Sequence, residues 1–109
     1  MADDDSRALI PVKDIGDGDL IECQVKGDHL LVGRADGRYF AIKNLCTHAW
    51  VSFGYGSLNG RTITCPWHGL SFDVHSGECE TWPGLQRLFR HRVTVQDGML
   101  CVGAEIADD

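Results

Sequence analysis

Two short boxes, Cys46-Thr47-His48 and Cys65-Pro66-Trp67-His68-Gly69, constrain this chain more than any other feature. Each offers one thiol and one imidazole, and sixteen residues separate His48 from Cys65. Four donors of that kind become a metal site only when they converge. Converging donors link metal binding to folding, so the fold must hold two distant loops side by side. In a chain of 109 residues the core is modest, and a cofactor joining two loops adds stability.

The rest of the chain shows what carries the loops. Gly27-Asp28, Asp36-Gly37, Asn59-Gly60, Ser76-Gly77 and Asp97-Gly98 read as turns, with Gly, Asn and Asp tolerating positive φ. Between them lie short runs of strand character: 20–25, 29–34, 39–42, 62–64, 72–74, 90–96 and 99–102. In the sixth run Val93 and Val95 alternate with Arg92, Thr94 and Gln96, the period-two pattern of a half-buried strand. Helix signals are weak. The expected fold is all-β, a small antiparallel sandwich or barrel. The chain reads as a single domain, 1–109, with a β subdomain over about 43–84 carrying both boxes on neighbouring loops.

The donor types narrow the chemistry. Cys-x-His followed by Cys-x-x-His suits a [2Fe–2S] cluster with two Cys on one iron and two His on the other. Neutral imidazoles in place of thiolates remove negative charge from the second iron and raise its potential. A histidine ligand keeps one ring nitrogen for solvent or a partner, and its loss of a proton makes the potential fall at high pH. Pro66 fixes a backbone angle and Gly69 permits close chain approach. Zinc also binds two Cys and two His. Its usual spacing separates the two types, whereas here each half is mixed; a zinc-stabilised interaction module stays open as an alternative.

At these residues the chain resembles the Rieske proteins, with Phe72-Asp73 and Ser76-Gly77-Glu78 as supporting context. More diffusely, its whole length resembles the Rieske-type ferredoxins of bacterial aromatic-ring-hydroxylating dioxygenases. That resemblance implies a Rieske-like fold and one [2Fe–2S] cluster, with Cys46 and Cys65 on the inner iron and His48 and His68 on the outer. It implies a one-electron carrier and not an enzyme. Such a carrier takes electrons from a flavin-dependent NAD(P)H ferredoxin reductase and passes them to a terminal oxygenase. The small Rieske-like subunit of an assimilatory nitrite reductase is the other reading. Respiratory Rieske proteins carry an extra disulfide-bonded cysteine in each box, where this chain has Val51 and Trp67. They also carry hydroxyls where this chain has Leu70 and Phe72. Ser71 is expected to point away. Fewer hydrogen bonds to the cluster imply a potential near the low end of the Rieske range, about −150 mV.

Outside the boxes, Cys23, Cys79 and Cys101 read as core residues. Trp50, Trp67 and Trp82 read first as packing residues, and otherwise as an apolar docking rim around His48 and His68. Trp82-Pro83-Gly84 resembles the family's third, proline-containing loop. His29, His75 and His91 read as solvated or locally hydrogen-bonded, and Arg87, Arg90 and Arg92 as one solvated strand face.

The formal net charge is −6 and the pI about 5.2, which argues against nucleic acid and anionic membrane as partners. No basic-then-apolar leader opens the sequence, and no apolar run reaches the roughly 20 residues of a membrane span. Five cysteines, an odd number, do not suit a secreted disulfide framework. The expectation is therefore a cytoplasmic monomer, with acidic ends at Asp3–Asp5 and Asp108–Asp109 that are frayed and solvated.

Overall fold

The structure is a computed structural model that describes residues 7–47, 52–53, 58–66 and 69–107. His48, Trp50, Val51, Trp67, His68 and both acidic ends lie outside the described residues.

Among the described residues nine strands form in chain order: β1 Arg7–Pro11, β2 Leu20–Val25, β3 Asp28–Ala35, β4 Arg38–Lys43, β5 Leu58–Asn59, β6 Thr62–Thr64, β7 Ser71–Asp73, β8 Arg90–Gln96 and β9 Met99–Glu105. A single 3-10 turn, Val12–Asp14, follows β1. One antiparallel sheet runs β1-β9-β8-β4-β3-β2, and a second runs β5-β6-β7. The all-β expectation holds. The larger sheet curls so that Val25, Leu30 and Val32 from one end share a core with Leu100 and Val102 from the other.

β3 explains how two cores fit in so short a chain. Leu30, Leu31 and Val32 are all buried, so the strand is covered on both faces. Leu30 and Val32 enter the core inside the curl, while Leu31 and Ala35 face a second core. In β4, Phe40 and Ile42 join Leu31, and Ala41 joins Leu30. The second core lies against the small sheet and includes Ile63, Phe72, Cys46 and Cys65.

Several boundaries differ from the sequence reading. The first hairpin turns at Lys26-Gly27 (φ 52° and 85°), not Gly27-Asp28, because Asp28 pairs with Val25. Two consecutive positive φ values match the right-handed twist of a hairpin. The β5–β6 turn is Gly60-Arg61, not Asn59-Gly60, because Asn59 pairs with Thr62. β7 begins and ends one residue earlier than expected, with Asp73 closing it. β1 and β5 carry too little alternation to be seen in the sequence.

The arginine stretch is also corrected. Arg90 is only 8% exposed, with Nη1 donating to the His75 carbonyl (3.3 Å) and Nε to the Leu88 carbonyl (3.4 Å). Arg87 precedes β8 and pairs with Glu78. Arg92 alone sits on a solvated strand position. Nor does the alternation persist along β8, because Val95 is 48% exposed.

Candidate metal centre

The first box follows β4 directly. The Lys43 amide donates to the Phe89 carbonyl and the Asn44 amide to the His29 carbonyl, which ends the strand in register. The Asn44 side chain then spans the loop. Its Oδ1 accepts from the Phe53 amide at 2.9 Å and its Nδ2 donates to Glu22 Oε2 at 3.2 Å. Departure and return of the loop are thus tied by one buried amide. Within it Cys46 is fully buried, and Thr47 Oγ1 donates to the Gln86 carbonyl at 2.7 Å.

The second box is the loop of the β6–β7 hairpin. The Cys65 amide donates to the Leu70 carbonyl (2.7 Å) and the Gly69 amide to the Cys65 carbonyl (3.1 Å). Gly69 has φ 70°, and a Cβ there would meet nothing within 4 Å. Backbone conformation rather than crowding therefore selects glycine. Cys65 is fully buried. Leu70 and Phe72 face the same core, with Phe72 edge-on to Phe53 at 6.2 Å. Ser71 lies on the other side, 3.3 Å from Thr64 Oγ1, as the sequence implied.

A third segment rests against both loops. The Glu80 amide donates to the Ser71 carbonyl, Thr81 Oγ1 accepts from the Ser71 amide, and Gln86 receives Thr47. Cys79 is buried, as expected, and its sulfur accepts from the Trp82 amide at 3.3 Å. The Trp82 side chain is 64% exposed, so the packing role expected of it is wrong. Cys101 is buried as expected; Cys23 is half-buried, and burial, helped by Glu22, pushes its thiol up. His29, His75 and His91 are each locally hydrogen-bonded, to Gln24, the Ala35 carbonyl and the Gly103 carbonyl.

Asp73 fixes the turn between the small sheet and this third segment. Its Oδ1 accepts from the His75 and Ser76 amides and its Oδ2 from Arg61 Nε at 2.7 Å. Burial opposes its ionisation, but the Ser76 amide, Arg61 and the His75 amide outweigh it and hold the carboxyl below its ordinary range. The hydrogen bond from that same pair, with its charge, raises Arg61. Sequence reasoning missed Asn44 and Arg61, and named Thr47 and Asp73 only as motif positions, without these roles. Thr47 stands between two candidate ligands and Asp73 in the supporting Phe72-Asp73 pair; Asn44 and Arg61 carried no positional hint.

Cys46 and Cys65 come from loops that start at different sheets, yet both are fully buried in one core, and neither is in a disulfide. Soft thiol donors buried in one apolar core fit an iron–sulfur group. Among the described residues no three of His, Cys, Asp or Glu converge, and His48 and His68 lie outside those residues. Residues 6–96 match the model of the Rieske [2Fe–2S] domain. The chain belongs to that family. The family carries a [2Fe–2S] cluster, which sets the zinc alternative aside.

The chain spans very different shares of its relatives. The ferredoxin component of the naphthalene 1,2-dioxygenase system of Pseudomonas putida is 33% identical over 88 residues, covering 81% of this chain and 85% of that one. Human apoptosis-inducing factor 3 is 29% identical over 97 residues, and the chain spans only 16% of its length. Among solved structures, Sphingomonas yanoikuyae B1 ferredoxin superposes with a TM-score of 0.79 at 33% identity, covering 91% of this chain and 98% of that one. A chain in the complex of reduced oxygenase and oxidized ferredoxin of carbazole 1,9a-dioxygenase superposes with a TM-score of 0.80 at 28% identity, covering 91% and 93%.

Proposed function

We propose that this Rieske protein is a one-electron carrier, taking electrons from a flavin-dependent NAD(P)H ferredoxin reductase and giving them to a terminal oxygenase of an aromatic-ring-hydroxylating system. The observation that carries this reading is the pair Cys46 and Cys65, fully buried in one core of a Rieske domain that is 33% identical to a dioxygenase-system ferredoxin. A bound [2Fe–2S] cluster supplies reversible uptake of a single electron. Cys46 and Cys65 would hold the inner iron, and His48 and His68 the outer one. Leu70, Phe72 and Phe53 exclude water on the thiol side. Asn44 and Thr47 hold the first loop against its neighbours. Residues 43–84 form the cluster-binding unit, and the chain acts in the cytoplasm as a monomer.

Association of the solved carbazole relative with its oxygenase supports a transient docking role. Such redox encounters use small interfaces. The exposed Trp82 lies on the third segment, which Thr47 ties to the first box through Gln86. The test is to purify the cluster-loaded protein and measure iron, acid-labile sulfide and the paramagnetic resonance of the reduced state. Two irons, two sulfides and the low average g value of mixed Cys/His ligation are expected, together with reoxidation by an aromatic-ring oxygenase. A colourless zinc protein, or a reduced protein that no such oxygenase reoxidises, overturns the proposal.

A further inference from the structure

We propose that a cleft between β4 and β8 is a binding site for a doubly charged oxyanion of the phosphate class. The two strands pair only at Ala41↔His91 and Ile42↔Arg90. The β8–β9 ladder shifts register beside this point, between His91 and Val93, with the extra residue on β9. A bulge bends its strand and interrupts pairing. The first residues of β4 pair with β3 alone, and the sheet opens there into a cavity of about 140 Å³. Arg38, Phe40, Val74, His75, Arg90 and Arg92 contribute to its walls, and no Asp or Glu lines it.

Charge pairing marks this cleft. Arg34 approaches Asp17 and the Tyr39 ring, Arg61 approaches Asp36 and Asp73, and Arg87 approaches Glu78. Arg38 and Arg92 are exposed and have no partner among the described residues. On a chain of net charge −6, two uncompensated guanidinium groups border one acid-free cavity. Each presents a planar fork of donors suited to phosphate oxygens. Arg90 adds a third cation, positioned by the His75 and Leu88 carbonyls and by Gly77, where a Cβ would lie 2.7 Å from Arg90 Nε. Phe40, edge-on to His75 at 6.0 Å, and Val74 supply an apolar flank that strengthens electrostatic attraction. The volume suits one compact ion or the terminus of a monoester rather than a folded segment. Arg38 lies at the far end of β4 from Lys43, about 17 Å at strand rise. The Arg38 end of the cleft therefore lies away from the cysteine loops.

The test titrates the cluster-loaded protein with inorganic phosphate at constant ionic strength, following backbone amide shifts. Saturable shifts confined to residues 38–41, 75 and 90–93, with a millimolar midpoint, are expected. Arg38→Gln with Arg92→Gln should weaken binding by about tenfold or more. Both positions are exposed, so circular dichroism and cluster absorbance should stay unchanged. Equal shifts with sodium chloride, or unchanged affinity in the double variant, overturn the proposal. A parallel titration with phenyl phosphate identifies the source of the group: tighter binding than inorganic phosphate assigns an ester, and weaker or equal binding assigns the free ion.

Discussion

The two cores of this molecule are held by different means. Inside the curled sheet, Leu30, Val32, Leu100 and Val102 are packed between strands of up to eight residues, and the ladders bear most of the order. Beside the small sheet, whose strands have two or three residues, Phe72 of β7 packs with Cys46, Phe53 and Cys65 from the loops. Ladders that short cannot fix two long loops. Side-chain hydrogen bonds from Asn44, Thr47, Thr81 and Asp73 do so instead. The two thiols are buried where the scaffold is weakest in strand pairing and richest in specific polar ties. A site that must present ligands to a metal and remain near the surface is built from loops on a rigid base.

The largest expected break in this comparison is at the thiols. Cys46→Ser or Cys65→Ser should abolish cluster incorporation, because a hydroxyl is a poor substitute for thiolate toward iron. Cys101→Ser, in the curled sheet and also buried, should leave the iron content at the parent level. Iron and sulfide assays on the three purified variants check this. Equal cluster loss in all three would mean that burial, not ligation, was responsible.

Next come the apolar anchors. Phe72→Ala removes a fully buried ring that meets Phe53 edge-on, at a cost of about 3–5 kcal/mol. Leu100→Ala should cost about 2–5 kcal/mol in the other core. The two differ in outcome rather than size. Phe72→Ala should accelerate cluster loss on mild warming, whereas Leu100→Ala should lower the denaturation midpoint with the cluster retained until global unfolding. Visible absorbance and far-ultraviolet circular dichroism, recorded together, separate these behaviours.

Asn44→Ala tests the polar ties directly. It leaves the Phe53 amide without its buried acceptor, a loss of about 1–3 kcal/mol. Hydrogen exchange at the Phe53 amide should accelerate, while exchange in β3 should follow only the global change. Protection at Phe53 that matches the parent would show that the loop is closed by packing alone.

Legibility in the sequence follows the same division. β2, β6 and β8 were read to the residue, and β3, β4 and β9 to within three residues at either end. Their signals are local: alternation, β-branched residues, and Asp-Gly turns such as Asp36-Gly37 and Asp97-Gly98. The two boxes were equally visible, because spacing and chemistry write them into adjacent positions. The ties were not. Asn44 bonds Phe53 and Glu22, and Thr47 bonds Gln86, partners 9, 22 and 39 residues away. No periodicity encodes such pairs. Arg90 misled for the same reason: its burial depends on the Gly77 turn and on the His75 carbonyl, fifteen residues away.

Asp73 gives the comparison a pH dependence. Its folded carboxyl is depressed below the ordinary value of 3.8. The contribution is therefore fully present above 3.8 and is lost as pH falls through the lower, folded value. Asp73→Asn should be less stable than the parent at neutral pH, and the gap should close in acid. Denaturation midpoints for both proteins, taken from neutral pH down into the acid range, measure this; parallel curves would remove Asp73 as a stabilising carboxylate.

The smallest effect separates two arginines that look alike. The Arg61 and Arg87 side chains are 42% and 44% exposed, and each meets a carboxylate of the third segment or its turn. Their partners differ: the Asp73 side chain is 13% exposed and 2.7 Å away, while that of Glu78 is 62% exposed and 3.3 Å away. Water readily replaces an arginine beside an exposed carboxylate, and screening weakens the pair further. Arg87→Ala should therefore change stability by less than about 0.5 kcal/mol. Arg61→Ala should cost more, because it strips a cation from a carboxylate that the fold has largely removed from water. Chemical denaturation of both variants at low and high salt decides the point. Equal losses would show that exposure of the arginine, not burial of its acid, sets the strength of these pairs.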